Sequence, residues 1–216
     1  MTTIACVLRL QPRTDFSRAW VLALREGLRS CLPSFDPDQL VCLTNSEDDL
    51  RGVVRTQPLT HDLPGWWSKI ELFKPGRFTG RVLYLDLDSL PVGDLTDLVG
   101  YDGPLAMLSD FYMPDKPASG VMAWEAGEGE AIYTSFVKKR PALQGRLDFW
   151  IAQQLRGIEE LQRIFPRQIV SFKKDARREP PPGTRLVCGH GVPRFSHPSA
   201  GWAYRTWMNR LTNAAR

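Results

Sequence analysis

Residues 81–89 of this chain read RVLYLDLDS, and they decide which fold the rest of the sequence is expected to adopt. The apolar run Val82–Leu85 predicts a buried strand, which ends in two carboxylates, Asp86 and Asp88. In an extended chain residues i and i+2 point the same way, so both carboxylates are predicted to converge just past the strand. Like charges that close repel each other unless a cation lies between them, and carboxylate oxygens suit Mg²⁺ or Mn²⁺. The pattern favours a divalent metal site, with a simple turn capped by these aspartates as the alternative.

Outward from this strand, apolar runs alternate with segments of helical spacing. Trp20, Leu24 and Leu28, for example, share one helical face. Strands are predicted at 4–10, 39–43, 53–59, 81–85, 105–108, 120–124, 169–172 and 185–188, and helices at 16–32, 65–73, 128–139, 147–161 and 202–211. This alternation predicts an α/β domain with a mainly parallel central sheet flanked by helices. Ligands of such sheets bind at the carboxyl ends of the strands.

The composition predicts one domain over residues 1–216, with a basic and aromatic helical tail at 200–216. About 43% of the residues are hydrophobic, which is enough for a core, and the net charge of +4 is no nucleic-acid signature. We therefore expect no nucleic-acid partner.

The cysteines and the apolar runs bear on the compartment. The four cysteines show no CxxC pairing and no zinc spacing, so buried free thiols in a reducing cytoplasm are expected. No apolar stretch is long enough to span a bilayer, which leaves peripheral membrane contact open.

Several motifs together resemble the GT-A fold glycosyltransferases. Residues 83–95, LYLDLDSLPVGDL, resemble the metal-binding motif of the glycogenin-like family 8, in a branch of uncharacterised bacterial and phage members. Gly65–Lys69 is similar to the aromatic-plus-lysine segment of that family, and Ala118–Met122 to its Asn-Ser-Gly-Val strand. Arg146–Asp148 stands where the family has Gly-Asp-Gln, and Cys188–Gly191 resembles its C-terminal His-Gly element.

The resemblance implies roles for particular residues. Asp86, Asp88 and His190 are expected to hold Mn²⁺ or Mg²⁺, and Lys69 and Asp148 to act in catalysis. The residues expected to contact the nucleotide sugar, from the resemblance or because they end predicted strands, are Arg9, Thr44, Trp66, Leu87, Ser119, Gly120, Gly191 and Arg194.

The implied reaction moves a sugar from a UDP-sugar to a hydroxyl acceptor, which can be a glycan, a lipid or a protein, with retention of anomeric configuration. The chain departs from the family pattern at Ala118, in place of asparagine, and at Phe149, in place of glutamine. One alternative is therefore a non-catalytic nucleotide-sugar-binding domain of the same fold. Another is a nucleotidyltransferase, which the lack of glycine in residues 9–17 disfavours, since such enzymes carry a glycine-rich phosphate loop there.

Overall fold

The computed structural model describes residues 2–12, 14–143 and 145–215, so Met1 and Arg216, the ends of the predicted domain, lie outside the described residues. The strands are β1 (Thr3–Leu8), β2 (Leu40–Thr44), β3 (Arg55–Pro58), β4 (Arg81–Leu85), β5 (Ser89–Pro91), β6 (Ala106–Ser109), β7 (Pro117–Glu125), β8 (Glu159–Glu160), β9 (Ile169–Ser171) and β10 (Leu186–Cys188). The α-helices are α1 (Arg18–Cys31), α2 (Thr96–Val99), α3 (Glu130–Lys139), α4 (Leu147–Gln154), α5 (Leu161–Ile164) and α6 (Trp202–Ala214).

The central sheet has seven strands in the order β3-β2-β1-β4-β7-β6-β8. Strands β3, β2, β1 and β4 run parallel, β7 is antiparallel to both β4 and β6, and β8 is parallel to β6. The predicted α/β fold with a mainly parallel sheet between helices is confirmed. Because β1 and β4 are parallel neighbours, the residues that follow them meet at one edge of the sheet.

A second sheet of three strands, in the order β5-β10-β9, attaches the late part of the chain to the segment after Asp88. Cys188 pairs with Ser89 in the antiparallel β10–β5 ladder, and the Gly189 N–H donates to the Asp88 carbonyl oxygen at 2.7 Å. Strand β5 was absent from the sequence prediction because a three-residue strand containing Pro91 carries no periodicity. The ladder places His190 in the same cleft as Asp86 and Asp88.

The core lies on both faces of the central sheet, as the period of two in a strand requires. Ile4, Cys6, Leu83 and Leu85 belong to the cluster covered by α1 and α6. Ala5, Val82 and Tyr84 belong to the other cluster, which the segment Gly65–Phe73, α3 and α4 cover. Strand β4 is thus apolar on both sides, which is why its sequence reads as an unbroken hydrophobic run.

Two predicted helices differ from the structure. Gly65–Phe73 is a 3₁₀ helix rather than an α-helix. The helix predicted at 147–161 ends at Gln154, and Gly157 follows with a φ of 74°. Glycine adopts a positive φ at no steric cost, so the chain turns there into β8 and then α5. Within the described residues, none of the helices has the length and apolar character needed to cross a membrane.

Leu85→Ala tests the double burial of β4. Leu85 is completely buried next to the carboxylates, so its truncation is expected to lower the free energy of unfolding by about 2–5 kcal/mol. Urea unfolding measures this loss, and Leu143→Ala, at an exposed position, serves as the matched control with an expected change below about 0.5 kcal/mol. Equal effects of the two substitutions would contradict the packing described here.

Candidate active site

A cleft of about 710 Å³ opens where β1 and β4 end. Its wall consists of the residues after these strands, the start of β7, the start of α4 and the segment after β10. Aspartates and basic side chains lie along its length among apolar and aromatic residues. A large concave site with a few convergent charged groups is the usual form of a small-molecule site.

Asp86 is held at the end of β4 by the neighbouring strand and by one lysine. Its backbone N–H donates to the Gly120 carbonyl oxygen at 2.8 Å. Its carboxylate accepts from Lys69, whose Nζ lies 2.7 Å from Oδ1 and 2.9 Å from Oδ2. The Tyr84 hydroxyl donates to the same carboxylate. Burial, and the charge of Asp86, raise the pKa of Tyr84 well above its usual value, so this hydroxyl keeps its proton.

Asp88 is the more deeply buried carboxylate of the pair, with a side chain 9% exposed. Arg194 donates to its Oδ2 at 2.8 Å. Burial, and secondarily the charge of Asp86, raise the pKa of Asp88 to about 7, although Arg194 and Lys69 act in the opposite direction. The burial penalty therefore exceeds the stabilisation from the two cations, and Asp88 is only partly ionised at neutral pH.

His190 follows β10 and lines the same cleft as Asp86 and Asp88. Its Nε2 is 2.7 Å from the Ser171 hydroxyl, and its ring stacks against Phe111 with centroids 5.9 Å apart. Desolvation, together with the charge of Lys173, lowers the pKa of His190, so the ring is neutral at physiological pH. A neutral imidazole is the form that binds metals.

The structure brings the predicted metal ligands to one cleft but not into a ligand set. In residues 2–12, 14–143 and 145–215, no three side chains of His, Cys, Asp or Glu stand together as a metal centre. The oxygens of Asp86 and Asp88 fit a divalent cation. The cation would offset the repulsion between the two carboxylates, which is one cause of the raised pKa of Asp88. The Nε2 atom of His190 is instead hydrogen-bonded to the Ser171 hydroxyl. The metal assignment stays a prediction.

Most of the other predicted ligand-contacting residues lie in the cleft. Arg9, Trp66, Leu87, Ser119, Gly120 and Arg194 line it. Trp66 has 60% of its surface exposed, so its indole face is free for contact, whereas Arg9 is tied to Asp62 by an ion pair. Asp148 lies in the wall and accepts the Ser119 N–H at 2.7 Å.

The structure does not bring Thr44 and Gly191 into the cleft wall, contrary to the sequence prediction. Thr44 is completely buried at the end of β2, where its hydroxyl accepts the Ser46 N–H at 3.0 Å. Gly191 has a φ of 66°, and a Cβ there would lie 3.2 Å from Lys173 Nζ. The glycine thus serves the turn after His190 rather than a ligand surface.

Two cleft residues escaped the sequence prediction. Arg146 donates to Asp110 and to Asp148, each at 2.8 Å. Asp110 caps a turn, accepting the N–H groups of Tyr112 and Met113, but it also faces the cleft. The signal in the sequence was its position at the end of a predicted strand, the same position that identified Asp86.

Comparison with known proteins supports the fold but supplies no family. The chain shares the α/β architecture of GT-A glycosyltransferases. It is similar to a galactosyltransferase, LgtC, solved with donor and acceptor sugar analogues: 13% identity, TM-score 0.66, 99% of this chain and 96% of that chain. It is also similar to the glycosyltransferase GlyE of Streptococcus pneumoniae, with 12% identity and a TM-score of 0.60 over 98% of this chain and 62% of that chain. A third similar structure is the bifunctional glycosyltransferase WbbM, with 9% identity and a TM-score of 0.66 over 98% of this chain and 50% of that chain. No protein-family profile and no curated protein matches the sequence.

The raised pKa of Asp88 predicts a pH-dependent stability that Asp88→Asn removes. Because the folded-state pKa of about 7 lies above the ordinary 3.8, the stabilisation is fully present below about 3.8 and is lost as the pH rises through about 7. The free energy of unfolding of the wild type, measured relative to Asp88→Asn, should therefore fall between pH 4 and 7 and level off above. Urea unfolding across this range measures it, with the exposed Asp48→Asn as control. A difference that is flat with pH would contradict the burial of this carboxylate.

Proposed function

We propose that the protein is a metal-dependent glycosyltransferase that moves a sugar from a UDP-sugar to a hydroxyl acceptor, with retention of configuration. One observation carries the proposal. A single cleft at the carboxyl ends of β1 and β4 contains the Asp86–Asp88 pair, two cations bound to that pair, and further carboxylates beyond it. The likeness to solved glycosyltransferases of the same fold supports this interpretation.

The charges along the cleft match the parts of a nucleotide-diphosphate sugar. Lys69 and Arg194 are the basic side chains that pair with Asp86 and Asp88, and both are suited to phosphate oxygens. The nucleoside is placed towards Arg9 and Trp66, since nucleotides bind past the ends of the first strands of such sheets. Asp110 and Asp148 line the part of the cleft left for the sugar, where carboxylates accept hydrogen bonds from hydroxyl groups.

The proposed step breaks the bond between the anomeric carbon and the diphosphate oxygen, whose electron pair leaves with UDP. The acceptor oxygen forms its bond to the same carbon on the same face, and its proton passes to the departing phosphate. Lys69 and Arg194 stabilise the charge that develops on the diphosphate, and Asp148 and Ser119 orient the sugar. Asp86 and Asp88, with His190 as the expected third ligand, would hold Mn²⁺ or Mg²⁺, which would supply Lewis-acid stabilisation of that charge.

The acceptor and the compartment belong to the same proposal. The acceptor is a hydroxyl of a glycan, a lipid or a protein that approaches the open side of the cleft, where Trp66 and Tyr112 are 60% and 59% exposed. A cytoplasmic location is supported by Cys6, Cys42 and Cys188, which are buried free thiols.

A thermal-shift screen of UDP, GDP and CDP and their sugars, with and without Mn²⁺, tests the donor class. Ligands that bind only the folded state raise the melting temperature, so UDP-sugars with Mn²⁺ should give the largest shift. Shifts for none of the nucleotides would contradict the proposal.

Asp86→Asn and Asp88→Asn test the metal-binding role in turnover. Each is expected to lower the Mn²⁺-dependent hydrolysis of the UDP-sugar by about 100-fold or more, because each removes charge from the metal site. Release of UDP measures the rate, and Asp48→Asn, at a surface position, should retain the wild-type rate. Binding of UDP-sugar without any turnover by the wild type would favour a non-catalytic binding domain.

A further inference from the structure

Arg146 joins three separate elements at the end of the cleft that lies beyond the diphosphate position. Its Nη1 donates to Asp110 Oδ2 and its Nε to Asp148 Oδ2, both at 2.8 Å. Its Nη2 donates to the Pro117 carbonyl oxygen at 3.1 Å. The guanidinium is a rigid planar fork, so the positions of its partners are fixed relative to one another.

Each of the two carboxylates is also held from its other side by backbone. Asp148 Oδ1 accepts the Ser119 N–H at 2.7 Å, and Asp110 Oδ1 accepts the N–H groups of Tyr112 and Met113 at 2.9 and 3.2 Å. Although burial acts in the opposite direction, hydrogen bonds from the Tyr112 N–H and from Arg146 lower the pKa of Asp110, so it is ionised at neutral pH. A carboxylate has about four acceptor positions, which leaves both groups capacity for ligand hydroxyls.

The cluster of Asp110, Asp148 and Arg146 has an excess of formal negative charge. In the described part of the chain, Arg146 is the only side-chain cation in an ion pair with Asp110 or Asp148. Two carboxylates and one guanidinium carry a net charge of −1, and Lys69 and Arg194 are engaged at Asp86 and Asp88. A third carboxylate, brought here by a ligand, would be repelled by Asp110 and Asp148, whereas neutral hydroxyls would find hydrogen-bond acceptors.

Phe149 supports the same arrangement. It stands next to Asp148, where the family pattern has a glutamine, and offers no amide for a sugar. Its ring lies 5.3 Å from the Arg146 guanidinium, which is a cation–π distance. This contact adds a second constraint on the guanidinium of Arg146, beside its hydrogen bonds to Asp110 and Asp148.

We propose that Arg146 is a specificity-determining positioning residue that holds Asp110 and Asp148 as paired acceptors for an uncharged sugar and excludes a uronic acid. The inference rests on the proposed function, since it concerns the sugar part of the nucleotide-sugar donor. Asp110 and Asp148 are held on adjacent edges of the Arg146 guanidinium, and from there they accept hydrogen bonds from the hydroxyls of the sugar. Arg146 itself makes no contact with the reacting atoms.

Titration calorimetry in the presence of Mn²⁺ tests this selection with four ligands: UDP, UDP-glucose, UDP-galactose and UDP-glucuronic acid. The wild type is expected to bind at least one of the neutral UDP-hexoses about tenfold or more tightly than UDP. UDP-glucuronic acid, which differs from UDP-glucose only by its carboxylate, should bind no more tightly than UDP.

Arg146→Gln should abolish the added affinity for the neutral sugar while leaving the affinity for UDP within about twofold. Arg185→Gln is the matched control, because Arg185 pairs with Asp97 and does not line the cleft. Asp110→Asn keeps the shape of the side chain and removes the net negative charge, so it should narrow the discrimination against UDP-glucuronic acid by about tenfold. This second variant keeps the test decisive if Arg146→Gln fails to fold.

Two results overturn the inference alone: a wild type that binds UDP and UDP-glucuronic acid but prefers the latter to both neutral sugars, or an Arg146→Gln variant that keeps the full preference for the neutral sugar. If no variant, wild type included, binds UDP with Mn²⁺, the proposed function itself is wrong and the inference falls with it. The UDP measurement therefore separates the two failures.

Discussion

The ion pairs that compensate Asp86 and Asp88 are the interaction on which the cleft depends. Two carboxylates placed at the end of a strand that is apolar on both faces lie in a region of low polarity, where an unpaired charge is costly. Lys69 and Arg194 supply the opposite charge from segments 17 residues before Asp86 and 106 residues after Asp88. The 3₁₀ segment, the β5–β10 ladder and the loop after β10 all serve to bring these cations to one point.

The same pattern recurs at the other end of the cleft, with different geometry. There one cation, Arg146, serves two carboxylates, and backbone N–H groups complete their hydrogen bonding. At Asp86 and Asp88 each carboxylate has its own cation. The arrangement around Arg146 is rigid, because a planar guanidinium and backbone N–H groups hold both carboxylates. The arrangement at Asp86 and Asp88 consists of two flexible side chains that can turn towards phosphate oxygens, so the two ends of the cleft are suited to different parts of one ligand.

The sequence predicted the parallel core of the fold because β1, β2 and β4 are buried on both faces and read as continuous apolar runs. It also predicted that Asp86 and Asp88 lie in the ligand cleft, because the carboxyl ends of parallel strands converge at one edge of the sheet. Other cleft residues, such as Trp66, Ser119 and His190, were expected from the resemblance to the family. It did not predict β5, which is too short for a pattern, or the break at Gly157, where a positive φ overrides helical spacing. Arg146 was missed because its role depends on Asp110, 36 residues away, as well as on Asp148, and no local signal links Arg146 to Asp110. Thr44 was wrongly predicted to contact the ligand, because it is completely buried at the end of β2 and does not line the cleft.

The antiparallel ladder between β5 and β10 has a consequence for the order in which the chain assembles. Leu186 pairs with Pro91, so this contact closes a loop of about 95 residues. Closing so long a loop costs chain entropy, and during synthesis the contact cannot form before Leu186 has left the ribosome. Until Arg194 has been synthesised, Asp88 has no guanidinium to pair with, and the nascent protein carries an incomplete cleft. The ligand site is thus among the last parts of the molecule to mature, although the strand that presents its carboxylates lies near the middle of the sequence.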